Sequence, residues 1–181
     1  MRPRGPRRRQ SANVPGVRQL WAPWRMAYVS SGPSAEDGGC FLCAAASEPA
    51  TQKSLVVYRD ELTLTLLNRY PYSSGHLMVA PLRHTADLVS LTPDEGAAVF
   101  TATQRAIRAL TDAMHPGGFN IGINQGAAAG ASIEHFHLHV VPRWGGDTNF
   151  MPVVGDVKVL PEHLETTALK LRASFDRPRQ L

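Results

Sequence analysis

No stretch of this chain approaches the roughly 18 to 20 consecutive apolar residues that a membrane-spanning helix requires, and its N-terminus lacks the apolar core of a secretory signal. A cytoplasmic protein with no membrane partner is the expectation. Internal repeats are also absent. For 181 residues, 43% of them hydrophobic, one globular domain is the default. Acidic residues are missing from positions 1 to 15, where Arg2, Arg4, Arg7, Arg8 and Arg9 stand among prolines. These five account for the chain's basicity: the net charge is +4, yet without them 14 basic residues face 15 acidic ones. Such a segment buries too little apolar surface to fold alone. It reads as a disordered tail (1–15) before a single domain (16–181), and nucleic acid is not the expected partner. The tail also lacks the amphipathic pattern of an organelle transit peptide.

Beyond the tail, Leu20 to Met26 is dense in aromatics and reads as a segment docked on the main body, followed by a Ser, Gly and Pro linker over 30–39. β-rich runs at Leu55–Arg59 and Leu62–Leu67 are split by Asp60-Glu61, a hairpin signal. His76–Pro81 reads as a third strand, Phe119–Asn124 as a fourth and Ile133–Pro142 as a fifth. Between the third and fourth lies a long helix, with Thr92 as N-cap, Pro93 at the first helical position and Glu95 completing a capping box. Its apolar stripe is Val99, Phe100, Ala106, Ile107, Leu110, Ala113 and Met114, interrupted by Thr103, and His115-Pro116-Gly117-Gly118 ends it. A last helix opens at Pro161 and runs to about Phe175. No helix separates the early paired strands, so the pattern predicts an α+β fold with an antiparallel sheet.

The chemistry concentrates in Glu134-His135-Phe136-His137-Leu138-His139-Val140-Val141-Pro142. A strand sends alternate side chains to opposite faces, so His135, His137 and His139 share one face and Phe136, Leu138 and Val140 the other. Packing alone would be served better by Val or Ile. Imidazole is both a nucleophile and a metal ligand, which leaves a three-histidine metal centre and a phosphoryl or nucleotidyl transfer site in competition. The preceding loop, Gln125 to Ser132, is built of Gly and Ala, and small residues let backbone amides approach an anion. That favours phosphate.

His135 to Val141 fits at every position the motif His-φ-His-φ-His-φ-φ, with φ apolar, and so resembles the histidine triad superfamily. The likeness extends through Leu67 to His84, Leu20 to Met26 and Pro142 to Phe150, and is greatest to the bacterial branch named for ATP adenylyltransferase or diadenosine tetraphosphate phosphorylase. The resemblance implies a five-stranded antiparallel sheet with one long helix and a C-terminal helix, a homodimer, and an adenosine nucleotide substrate. It makes His137 the nucleophile on an α-phosphorus, forming a nucleotidyl-histidine. His139 becomes the imidazolium beside the leaving oxygen, and His76 an orienting partner. Asn68 matches a ribose-binding position, Asn124 an amide near the phosphates, and Ser132, with Gly130 and Ala131, the phosphate loop. Many relatives carry Gln where Ala131 stands. This departure leaves room for phosphate rather than water as second acceptor, but the eukaryotic phosphorylases resemble the motif with Gln in place of the third histidine, here His139, so both acceptors stay open. Hydrolysis of AMP amidates and nucleotide binding with incidental turnover are the alternative functions.

Cys40-Phe41-Leu42-Cys43 holds the only two cysteines. Alone, such a pair is half a zinc site, a redox pair or chance. A redox pair should open a helix after a strand, whereas a Gly-rich linker precedes this one. Zinc-containing histidine triad proteins resemble the chain in completing a tetrahedral site with a histidine eight residues after the Gly-His pair, here His84, and the first triad histidine, here His135. The resemblance thus implies one structural zinc on Cys40, Cys43, His84 and His135, while His115 and His163 are expected at the surface.

Overall fold

The computed structural model describes residues 39–48, 51, 54–147 and 160–176. The expected tail, the Leu20–Met26 segment, nearly all of the linker and residues 148–150 lie outside them. Strands β1 (Val56–Arg59) and β2 (Thr63–Leu67) form the expected hairpin, each one residue shorter than predicted. Its turn is held by the Asp60 carboxylate, which accepts from the Leu62 and Thr63 amides at 3.1 and 2.7 Å. β3 (Leu77–Pro81) pairs with β2 from Thr63↔Pro81 to Leu67↔Leu77. With β4 (Gly118–Ile123) and β5 (Leu138–Arg143) the sheet takes the order β1-β2-β3-β5-β4, antiparallel throughout. The α+β expectation holds.

A short helix, α1 (Phe41–Ser47), precedes the sheet; α2 (Pro93–Met114) joins β3 to β4, and α3 (Leu164–Phe175) follows β5. α2 begins as predicted. The Thr92 hydroxyl accepts from the Glu95 amide at 3.2 Å and the Glu95 carboxylate accepts from the Thr92 amide at 2.8 Å, so two otherwise orphaned donors are satisfied reciprocally. His115, in the left-handed region at φ 49°, ends it. Its stripe buries Val99, Ala106 and Leu110 against the sheet, and Thr103 is reconciled with burial by donating to the Val99 carbonyl at 2.8 Å. Phe100 departs from the expected stripe and is 68% exposed. α3 starts later than Pro161, with His163 at its N-cap. Its Phe175 stacks on Tyr58 at 5.3 Å, and Arg172 donates to the Val56 carbonyl at 2.8 Å.

Alternation along the strands therefore gives the sheet two unlike faces. Leu67, Leu77, Val79, Leu138 and Val140 meet α2 and α3 in the main core, each fully buried aliphatic contributing about 1.5 to 3 kcal/mol. Leu64, Leu66, Met78 and Ala80 point the other way and pack under Leu42 of α1. The second face carries the site.

Candidate functional site

The predicted fifth strand was to begin at Ile133, but β5 begins at Leu138, so His135 and His137 precede the strand and only His139 lies on it. The ladder with β3 ends at Val79↔Leu138. Beyond it the backbone is held differently: the Phe136 amide donates to the Thr85 carbonyl at 2.6 Å. The segment stays extended enough for the alternation to survive. Phe136, Leu138 and Val140 enter the main core, and the three imidazoles lie on the opposite side.

They separate into two groups. His135 joins the cysteines: its Nδ1 is 3.2 Å from Cys40 Sγ and 3.5 Å from Cys43 Sγ, and His84 Nδ1 is 3.4 Å from Cys43 Sγ. The four ligand atoms lie within 4.8 Å of one another. Bond lengths of about 2.3 Å to sulfur and about 2.0 Å to nitrogen place tetrahedral ligand atoms about 3.5 Å apart, so these side chains fit a Cys2His2 centre. The ring's other edge agrees. His135 Nε2 is 3.0 Å from the Pro81 carbonyl, which can only accept; the proton belongs on Nε2, and Nδ1 presents its lone pair to the thiols. The cysteine pair opens α1, a helix not foreseen from the sequence, with Cys40 at its N-cap. Burial and the neighbouring Cys40 raise the Cys43 thiol pKa.

The second group is His137, His139 and His76. His137 Nδ1 lies 2.7 Å from the His135 carbonyl. Since that carbonyl must accept, Nδ1 is protonated and Nε2 keeps a bare lone pair. Burial lowers the His137 pKa, which preserves this neutral form. A relay fixes the next ring: the Tyr72 amide donates to His76 Nδ1 at 3.0 Å, so His76 carries its proton on Nε2, 2.9 Å from His139 Nδ1. His139 Nδ1 accepts, and its remaining proton sits on Nε2. Burial, with His137 beside it, pushes the His139 pKa down to about 4. That favours the neutral ring, with its N–H on Nε2, over the imidazolium that the resemblance implies. The His137 and His139 rings meet edge to face at 4.8 Å.

A cleft of about 320 Å³ opens beside His139, lined by Tyr72, Asn120, Ile121, Gly122, Asn124, Val141 and Arg143 as well. His137, at 4% exposure, does not line it but sits one ring further along the same face. Asn124 lines this cleft. Asn68 does not: its Oδ1 accepts from the Tyr70 amide at 2.8 Å in a turn of its own. The Gly/Ala loop contains a single 3-10 turn, Ala127–Ala129, with Gly126 and Gly130 at positive φ of 81° and 85°. Gly130 is exposed, and Ala131 and Ser132 are half-buried ahead of His135. His115 and His163 are exposed, as expected.

The histidine triad (HIT) domain model matches residues 50–146. The chain belongs to the histidine triad family. It is 41% identical, over 89% of its own length and 86% of the other's, to the AP-4-A phosphorylase of Mycobacterium tuberculosis. It is also 34% identical to the asymmetrical bis(5'-nucleosyl)-tetraphosphatase of Schizosaccharomyces pombe, over 52% of each chain. Among solved structures, a zinc-bound histidine triad family protein from Mycobacterium smegmatis superposes with a TM-score of 0.62 at 35% identity, covering 76% of this chain and 94% of that one.

In this HIT protein the sequence reading overlooked Tyr72, Asn120, Gly122 and Arg143. Tyr72 stacks on His76 at 4.8 Å, and its position in the Tyr70–Gly75 loop beside the Gly75-His76 pair was the available signal. Asn120 and Gly122 sit at alternate positions of β4 opposite Val141 and His139, a relation that exists only once the strands pair.

Proposed function

We propose that this HIT-family enzyme cleaves dinucleoside polyphosphates of the diadenosine tetraphosphate type at the α-phosphate. His137 Nε2 attacks the α-phosphorus, the bond to the bridging oxygen breaks, and ATP leaves while AMP stays on the ring. An oxygen of inorganic phosphate then attacks the same phosphorus, releasing ADP and restoring the lone pair. The observation that carries this reading is the 2.7 Å contact of His137 Nδ1 with the His135 carbonyl, which dictates the nucleophilic tautomer. The neutral Nε2–H of His139 is suited to stabilise charge developing beside it, and His76 and Tyr72 hold that tautomer. Ser132, Gly130 and Ala131 cradle phosphate, Asn124 touches the phosphate region, and Asn68 reaches the ribose once its turn to Tyr70 opens. The M. tuberculosis relative's name supports the phosphorolytic acceptor. Water in place of phosphate would give AMP instead.

Products from diadenosine tetraphosphate, measured with and without phosphate, test the reading. ADP plus ATP appearing only with phosphate is expected; AMP at an equal rate without it would make the enzyme a hydrolase. His137→Asn should lower kcat by at least about a thousandfold while leaving nucleotide binding intact, and mass spectrometry should find no adenylylated peptide in that variant. Undiminished turnover would reject the covalent route.

Zinc is the metal proposed for Cys40, Cys43, His84 and His135; its role would be structural, tying α1 to the sheet. A second copy of the chain is the proposed partner, a reading supported by the exposed outer strand β4 with Ile121 and Ile123, and by Phe100 on α2. Sedimentation at the mass of one chain across micromolar concentrations would refute it. No helix among the described residues is long and apolar enough to cross a membrane.

A further inference from the structure

Arg143 stands four residues beyond His139 on β5, on the same face of the sheet, and lines the same cleft. At a strand rise of about 3.3 Å per residue the two positions are about 13 Å apart along the strand. Val141, opposite Asn120, lies between them on the same face, and beside His139 the space is open: Gly122 pairs with His139 and has no side chain, and a Cβ placed there would meet nothing within 4 Å.

The guanidinium is fixed from two sides. Its Nε and Nη2 donate to the two carboxylate oxygens of Asp147 at 2.6 and 2.8 Å, and Nη1 donates to Asn120 Oδ1 at 2.8 Å. Three of its five N–H groups are thereby used. One remains on each of Nη1 and Nη2 with no partner among the described residues, and the side chain keeps 44% of its surface exposed. Asp147 cancels part of the charge, yet it also holds the planar fork still, so little rotamer freedom is lost when an anion docks.

We infer that Arg143 is a specificity-determining residue: its two remaining N–H groups bind the distal phosphates of the leaving polyphosphate, in the cleft that runs from His139 and Gly122 over Val141 and Asn120. The assignment rests on the reading of His137 as nucleophile toward dinucleoside polyphosphates. Its consequence is selection by chain length. A substrate whose leaving group carries no phosphate has nothing for Arg143 to hold, whereas a tetraphosphate spans the cleft. The rival role for Arg143 is that of a clasp on the turn after β5, acting only on stability.

The experiment compares full-length wild type with Arg143→Gln, and with Arg143→Lys, which keeps the charge without the fork. The substrates are diadenosine tetraphosphate, diadenosine triphosphate and an AMP p-nitrophenyl ester. Expected is a loss in kcat/KM of about tenfold or more on the tetraphosphate, a smaller loss on the triphosphate and a change under twofold on the ester. Arg143→Lys should be intermediate. Equal losses on all three substrates, or none on any, would overturn the assignment. So would a rise confined to the KM for inorganic phosphate, since the subsite would then serve the acceptor. Should Arg143→Gln fail to fold, the ordering of substrates in Arg143→Lys decides alone. Wild-type protein inert toward all three would instead refute the reading of the site, an outcome distinguishable from failure of the Arg143 assignment.

Discussion

A ring that attacks phosphorus must keep one nitrogen bare, and a ring that donates to the leaving oxygen must keep one protonated. Here both states are set by backbone: the His135 carbonyl claims the Nδ1 proton of His137, and the Tyr72 amide, acting through His76, leaves His139 with its proton on Nε2. pH therefore acts on the site in a defined direction. The His139 pKa is lowered from 6.5 to about 4, so the neutral donor persists as pH falls through the range where an ordinary histidine gains its second proton. Protonation of His137 Nε2 would remove the lone pair on which the proposed attack depends, and burial holds the His137 pKa below 6.5, so the acid limb of kcat/KM, which reports groups of the free enzyme, should stay level as pH falls to 6.5. Opening the relay with His76→Ala removes the acceptor of the Tyr72 amide and the donor to His139 Nδ1, and should raise the His139 pKa toward 6.5 in an NMR titration of the ring. A wild-type profile already falling at pH 7 would show that burial does not keep His137 neutral.

At the scale of elements, what the sequence discloses is what depends on local periodicity and local capping. β1, β2, β3 and α2 are legible because alternation, turn residues and the Thr92–Glu95 box are contained in short windows. α1 was not legible, since Phe41-Leu42-Cys43-Ala44-Ala45-Ala46-Ser47 lacks a side-chain cap and derives its order from Leu42 packing under the sheet. The start of β5 was misplaced for a related reason. Period-two alternation continues back to His135, but the ladder stops where β3 runs out and His135 turns to the cysteines. The cleft was invisible as well, because β4 and β5 are separate in sequence and only their pairing sets Gly122 against His139. α2 allows a quantitative test. Glu95 accepts from the Thr92 amide and both carboxylate oxygens accept from Arg83, at 2.7 Å each; the Arg83 partnership is the main reason its pKa falls from 4.5 to about 2. A carboxylate with a depressed folded pKa contributes stability above its unfolded value and loses it as pH falls through the folded one. Glu95→Gln, which preserves reach to the cap, should therefore lower Tm at pH 7, and the gap to wild type should close as pH drops from about 4.5 toward 2. A gap independent of pH would mean that the ion pair contributes nothing and that shape alone matters. Thr92→Ala should cost about 1 kcal/mol in urea unfolding at any of these pH values.

Across the whole molecule, the unlike faces of the sheet divide the labour. The helix-covered face supplies the main core, while among the described residues the other face is covered by α1 and a few aliphatic side chains, which is where the four-ligand cluster sits. Cys40 and Cys43 come from the start of α1, His84 from the segment after β3 and His135 from the approach to β5; one ion there would crosslink three parts of the chain. The same histidine whose Nδ1 faces the thiols offers its carbonyl to His137, so the four-residue cluster and the proposed nucleophile are coupled through His135. Removing zinc with a chelator should lower Tm by at least about 5 °C, equivalent to about 2 kcal/mol for a chain of this length, and should raise the reactivity of both thiols toward a chromogenic disulfide. Turnover should fall in parallel as the His135 carbonyl loses its fixed position, and zinc, but not magnesium, should restore all three readouts because thiolate and imidazole ligands select against a hard cation. Cys43→Ser should reproduce the stripped state and be unresponsive to added zinc. Protein purified without chelator that carries no zinc, or whose melting, thiol reactivity and turnover are unmoved by its removal, would reduce the cluster to four side chains that happen to meet.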